Sequence, residues 1–181
     1  CSGEFGAVRC VIGFYTKGVR HNGSHLVDLI RFLVGPLKPV PGGVTLTDTR
    51  AGDPEDPTVD ALLVTNQGAP VHLASGDERD YALFELEIIG AAGSVRIERS
   101  GRAIRVRRPV DDPDEPGYRI LNDGILKEVG TGDMFLHALD NLYQAVTEGA
   151  PIACDGATAI VTEEICDTLI AMAKKRIRNS P

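Results

Sequence analysis

Leu26, Leu29, Ile30 and Leu33 recur at i, i+3, i+4 and i+7 within SHLVDLIRFLVG, predicting a helix over Leu26–Val34 with one apolar face. Asn22 and Ser24 are N-cap residue types, Asp28 and Arg31 form an i, i+3 pair on the polar side, and Gly35-Pro36 is a stop. Upstream, Val8–Thr16 is apolar in both side-chain phases, as a strand covered by other structure is. Pro36–Gly43 reads as a proline- and glycine-rich connection, and Val44–Asp48 alternates Val and Leu with Thr, a half-buried strand. Arg50–Pro57 is an acidic loop. Asp60–Thr65 and Val71–Ala74 flank Asn66-Gln67-Gly68, a hairpin signal.

The next strands alternate cleanly. Phe84, Leu86 and Ile88 oppose Glu85 and Glu87; Val95 and Ile97 oppose Arg96 and Glu98; Ile104 and Val106 oppose Arg105 and Arg107. Turns at Gly90–Gly93 and Ser100-Gly101 make this an antiparallel meander with an apolar and a charged face. Pro109–Gly117 reads as a second acidic loop, mobile or lid-like. Asp133 opens a helix to Glu148 with Phe135, Leu139, Leu142 and Val146 inward and His137 at the surface. Asp155 caps a last helix with a buried stripe of Ile160, Val161, Ile165, Leu169 and Met172 and a basic end at Lys174, Lys175, Arg176 and Arg178. The order predicts an α+β fold: an open, mostly antiparallel β-sheet with helices packed on one face, in one domain over 1–181.

Composition narrows the function classes. A chain of 181 residues with 43% hydrophobic and 25% charged residues is ordinary for one globular domain. A net charge of −7, with acidic and basic residues interleaved on the meander, argues against nucleic acid and an anionic membrane as partners. No run approaches the length of a membrane span. Cys1, Cys10, Cys154 and Cys166 include no C-x-x-C pair and no zinc-ligand spacing, so they read as buried free thiols in the cytoplasm. The chain opens on Cys and in mid-pattern, which reads as a piece of a longer protein.

The candidate chemistry lies in YTKGVRHNGSH, Tyr15–His25. His25 falls in the first turn of the predicted helix, with His21 four residues earlier on a glycine-broken turn. The positive end of a helix, with Lys17 and Arg20 nearby, disfavours an imidazolium and leaves a proton acceptor. The plain reading is a histidine that hydrogen-bonds the turn. Gly90-x-x-Gly93 lacks the third glycine and the strand–turn–helix setting of a dinucleotide loop, and reads as a turn.

His21-Asn22-Gly23-Ser24-His25, then Leu26-Val27-Asp28-Leu29-Ile30 and Gly35, resembles the start of the C-terminal domain of the Gfo/Idh/MocA family, the glucose–fructose oxidoreductase and inositol dehydrogenase type. That family commonly carries Asp-x-Gly-x-His at this junction. Gly23 and His25 match it, and His21 stands where the family has Asp. FELEIIGAAGSVRI resembles the family's E-I-x-G-x-x-G hairpin, and the two last helices around EGAPIACDG resemble its ending.

The resemblance implies the substrate-binding domain of an NAD(P)-dependent oxidoreductase acting by hydride transfer on a sugar, cyclitol or nucleotide-sugar. NAD or NADP would be bound mainly by an N-terminal Rossmann domain that this chain does not contain. It implies that His25 exchanges the hydroxyl proton and that His21 orients substrate or relays protons. Tyr15, Lys17 and Asn22 would hydrogen-bond hydroxyls, and Lys17 or Arg20 would meet a phosphate. It also implies a homo-oligomer joined through the charged sheet face. A non-catalytic sugar-binding or oligomerisation module is the alternative. A metal hydrolase would use His21 and His25, but no third ligand stands at a suitable spacing.

Overall fold

Val8–Tyr15 (β1) lies at the centre of the sheet, because its neighbours on both sides offer apolar side chains to the same face. The computed structural model describes residues 2–49, 55–130 and 132–178. Ser2–Phe5 (α1) leads into β1, a π-helical turn at Gly18–Gly23 and α2 (Ser24–Val34). Then come β2 (Leu37–Thr49), β3 (Pro57–Thr65), β4 (Pro70–Ser75), β5 (Phe84–Gly90), β6 (Gly93–Glu98) and β7 (Ala103–Arg107). β8 (Pro109–Asp111) and β9 (Arg119–Leu121) form a separate ribbon, followed by β10 (Ile125–Glu128), α3 (Met134–Glu148) and α4 (Gly156–Arg178).

The sheet is open and eight-stranded, in the order β10-β7-β6-β5-β1-β4-β3-β2. Only the β1–β4 pair is parallel; the others described are antiparallel. Fold class is therefore as the alternation predicts. Register puts Val11, Gly13 and Tyr15 level with Leu73, Leu86 and Ile88 on one face, and Leu26, Val27 and Ile30 of α2 with Leu169 and Ala173 of α4 complete that core. A buried aliphatic side chain of this kind stabilises by about 1.5–3 kcal/mol. Gly13 lets α2 approach: a Cβ there would meet Leu26 Cδ2 at 2.8 Å.

Several expectations are corrected. Leu37–Gly43 is not a connection but the first half of β2, with Leu37 opposite Thr65 and an irregularity between Pro39 and Val44. β2 is the edge of the sheet, where proline removes no needed ladder bond. Pro109–Gly117 is in part the ribbon, with Val110 opposite Ile120. Asp28 and Arg31 turn toward α4 rather than water: Arg31 Nη1 reaches Asp28 Oδ1 (3.4 Å), Thr158 O (2.9 Å) and Thr162 Oγ1, and Thr162 Oγ1 donates to Asp28 (2.9 Å). In α4, Ile165 and Leu169 are buried as expected, but Ile160 and Val161 are exposed because α2 meets the Thr162 face. α3 buries none of its residues, so Phe135, Leu139, Leu142 and Val146 point outward instead of inward. Residues 50–54 of the acidic loop and Cys1 lie outside the described residues.

Candidate functional site

The chain leaves β1 through two consecutive left-handed residues, Lys17 (φ 75°) and Gly18 (φ 79°), and enters the π-helical turn directly. A π-turn is uncommon and tends to mark functional sites. It runs into α2 without a break, since Gly23 and Ser24 are both right-handed helical. Neither Asn22 nor Ser24 caps α2; the Ser24 hydroxyl instead donates back to Arg20 O (2.7 Å) and His21 O (2.9 Å). The helical run therefore starts at Gly18, and His25 stands in its second turn, away from the end charge.

What occupies that positive end is Asp56, which the sequence reading missed. Its buried carboxylate accepts from Arg20 N (2.6 Å) and His21 N (3.2 Å), two of the unpaired donors that open the run. Gly18 makes room for it: a Cβ there would lie 2.4 Å from Asp56 Oδ2. Asp56 is brought in by the start of β3, 36 residues on from Arg20, so only an acidic residue beside a strand start hinted at it.

His21 and His25 are both exposed, one turn apart on the same run. His25 lines an open cleft of about 250 Å³ with Asp28, Arg31, Phe32, Cys154 and Thr158. Phe32 is 77% exposed at its lip. Cys154 is exposed rather than buried, and its segment is held by Asp155, whose Oδ1 accepts from Thr158 N (2.8 Å) and so caps α4. That bond keeps the Asp155 carboxyl below the usual carboxylate range. The cleft's far wall thus comes from a loop 130 residues away in sequence, beyond the reach of local pattern.

The other candidates separate from it. Tyr15 is fully buried; its hydroxyl donates to Val59 O (2.7 Å) and accepts from Val59 N (3.1 Å), and burial raises its pKa. It ends β1 while Lys17 lies in the turn, so the two do not share a strand face. Tyr15 reads as a packing residue that ties the end of β1 to β3. Arg20 pairs with Glu163 (3.0 Å) and Asp167 of α4, which engages the guanidinium expected to meet a phosphate. Lys17 and Asn22 are half-buried on the turn. Among the described residues there is no cluster of three metal-ligating side chains. No described helix is long and apolar enough to cross a membrane.

On the open sheet face, Arg96 pairs with Glu85 (2.9 Å) and Arg105 with Glu98 (2.7 Å), both within the chain. Those bonds hold Glu98 below the usual carboxylate range and raise both arginines.

No protein-family model matches the chain, and no curated protein does. Solved structures do match its fold. Levoglucosan dehydrogenase in complex with NADH and levoglucosan superposes over 96% of this chain and 58% of its own, with a TM-score of 0.75 at 16% identity. UDP-N-acetylglucosamine 3-dehydrogenase GnnA from Acidithiobacillus ferrooxidans matches over 94% and 56%, TM-score 0.69, at 16% identity. KijD10, a 3-ketoreductase from Actinomadura kijaniata in complex with NADP, matches over 92% and 52%, TM-score 0.63, at 18% identity. These neighbours are Gfo/Idh/MocA-type sugar oxidoreductases, and the chain spans a little over half of their length.

Proposed function

We propose that this chain is the substrate-binding domain of a Gfo/Idh/MocA-type, NAD(P)-dependent oxidoreductase that acts on a sugar, cyclitol or nucleotide-sugar. The observation that carries the reading is an exposed His25 on a cleft, within a fold shared with enzymes named as sugar dehydrogenases and a ketoreductase.

The chain's own residues do not fit a dinucleotide. A pyrophosphate is usually held by a glycine turn at a helix N-terminus. Here the β1-to-helix junction has that geometry, but the Asp56 carboxylate already accepts its Arg20 and His21 N–H groups and would repel a phosphate. The nicotinamide, which supplies hydride acceptance or donation, therefore belongs to a second domain in this reading.

What this chain supplies is proton handling and shape. His25 takes the carbinol hydroxyl proton on an imidazole nitrogen as the carbonyl forms, and returns it in reduction. His21, one turn away, orients the sugar or passes the proton on to water. Lys17 and Asn22 on the same turn donate to hydroxyls, and the apolar ring of Phe32 covers a sugar face. Tyr15 and Arg20 act through packing and the α4 ion pairs. A homo-oligomer joined across the open sheet face completes the reading; Ile12, Phe14 and Leu62 there give it an apolar centre between the charged flanks.

The test is His25→Ala in the full-length parent, with kcat expected to fall on the order of 10²-fold or more, as removal of a general acid–base group does. Unchanged kcat in His25→Ala removes the residue from the mechanism.

A further inference from the structure

The cleft at His25 continues into a second hollow. That hollow, of about 240 Å³, shares His25, Asp28 and Cys154 with the first and adds Ser24, Thr162 and Glu163. Glu163 stands on α4, where it and Asp167 engage the guanidinium of Arg20: Arg20 Nη1 donates to Glu163 Oε1 (3.0 Å) and Nη2 to Asp167 Oδ1. Asp28 accepts from Thr162 Oγ1 (2.9 Å) and Arg31 Nη1 (3.4 Å). The Arg31 side chain is only 14% exposed, and its Nε is sealed from solvent. Three carboxylates thus stand against two guanidiniums around His25.

Phosphate recognition needs the reverse. A guanidinium fork grips a phosphate when its N–H groups are open to two of the oxygens. Both Nη atoms of Arg20 already hold a carboxylate. Drawing Arg20 away would leave Glu163 and Asp167 unneutralised at i, i+4 on α4, a repulsive pair. Lys17 adds one ammonium on the turn, but it precedes Gly18, against which the buried Asp56 carboxylate packs. A sugar hydroxyl suits the same atoms. Carboxylates only accept hydrogen bonds and a hydroxyl can donate one, whereas an ionised phosphate oxygen cannot. Glu163 holds Arg20 through Oε1, and its side chain is 67% exposed, so Oε2 is open to such a donor.

We propose that this cleft takes an uncharged sugar or cyclitol and rejects phosphorylated and nucleotide-linked sugars, with Glu163 and Asp167 as the specificity-determining residues. The proposal rests on the oxidoreductase reading above and narrows its substrate class. Hydroxyls of the sugar donate to Glu163, while the like charge of an entering phosphate meets no open guanidinium.

Thiol labelling reads the charge of the cleft without any turnover, because Cys154 lines both hollows. In the full-length parent, the Cys154 peptide is followed by mass spectrometry during reaction with 2-aminoethyl or 2-sulfonatoethyl methanethiosulfonate, each rate taken relative to free mercaptoethanol. The cationic reagent should be favoured by about tenfold at low salt and less at high salt. Glu163→Gln with Asp167→Asn should abolish the preference. In the same parent, kcat/KM should be higher by about tenfold or more for D-glucose than for UDP-glucose, and for myo-inositol than for its phosphate. Equal reagent rates in the parent overturn the proposal, and a preference that survives the double variant overturns the assignment to Glu163 and Asp167. Better turnover of UDP-glucose or inositol phosphate overturns the proposal and leaves the oxidoreductase reading standing. Charge discrimination at Cys154 with no turnover of any of the four supports the anion-rejecting cleft and counts against the oxidoreductase reading.

Discussion

Gly18→Ala should be among the most damaging single changes to the candidate site, for two reasons that can be separated. An alanine at φ 79° carries the left-handed penalty of about 1–2 kcal/mol. Its Cβ would also sit 2.4–2.6 Å from the Asp56 carboxyl atoms, so the carboxylate must move away. Hydrogen bonds to a charged group contribute about 1.5–3 kcal/mol each, and the Arg20 and His21 N–H groups would lose theirs unless water replaces them. Partial rehydration of the two freed N–H groups puts the total at about 3–5 kcal/mol. Asp56→Ala loses the same bonds without the strain and should cost about 2–4 kcal/mol. Once the carboxylate is gone, Gly18→Ala adds only its backbone term. The double variant should therefore fall short of additivity by about 2 kcal/mol or more, the signature of two changes that break one interaction. Urea unfolding of the four proteins, followed by far-UV circular dichroism, measures all three values. Additivity within about 0.5 kcal/mol would show that the carboxylate does not hold this turn.

Burial pushes the Cys166 thiol up to about 12, whereas an unfolded thiol titrates near about 8.5. Above that pH the unfolded chain loses a proton that the folded chain keeps. Stability is therefore full below it and falls toward pH 12 by about 1.4 kcal/mol per unit, and Cys166→Ala should remove this slope. Disulfide reagents should modify exposed Cys154 in the native chain and reach Cys166 only on unfolding; equal native rates would refute that burial. This chain alone should show no calorimetric binding of micromolar NADH, and measurable binding would sink the two-domain reading. Sedimentation at tens of micromolar should show a dimer weakened by Arg105→Glu; a monomer at both low and high salt refutes assembly through the sheet.

Alternation and helical spacing are local properties, and they were enough for β1, the β3–β4 hairpin, the meander, α2 and the α+β class. The motif around His25 also lay within one stretch, so its glycine and histidine could be read directly. Which surface an apolar stripe meets is not local. Phe135 and Leu139 mark an amphipathic helix in either state, and only the packed structure shows that the described residues leave them exposed. Pro39 and Pro41 signal a break until the sheet puts them at its edge, where their missing N–H groups matter little. The site itself was legible only in half. His25 and His21 come from one turn, but Asp56 arrives just ahead of β3, Cys154 from the α3–α4 loop and Thr158 from the first turn of α4. Those contacts depend on long-range packing, and the contact with Asp56 accompanies the change of a predicted loop and cap into one helical run opening on a buried carboxylate.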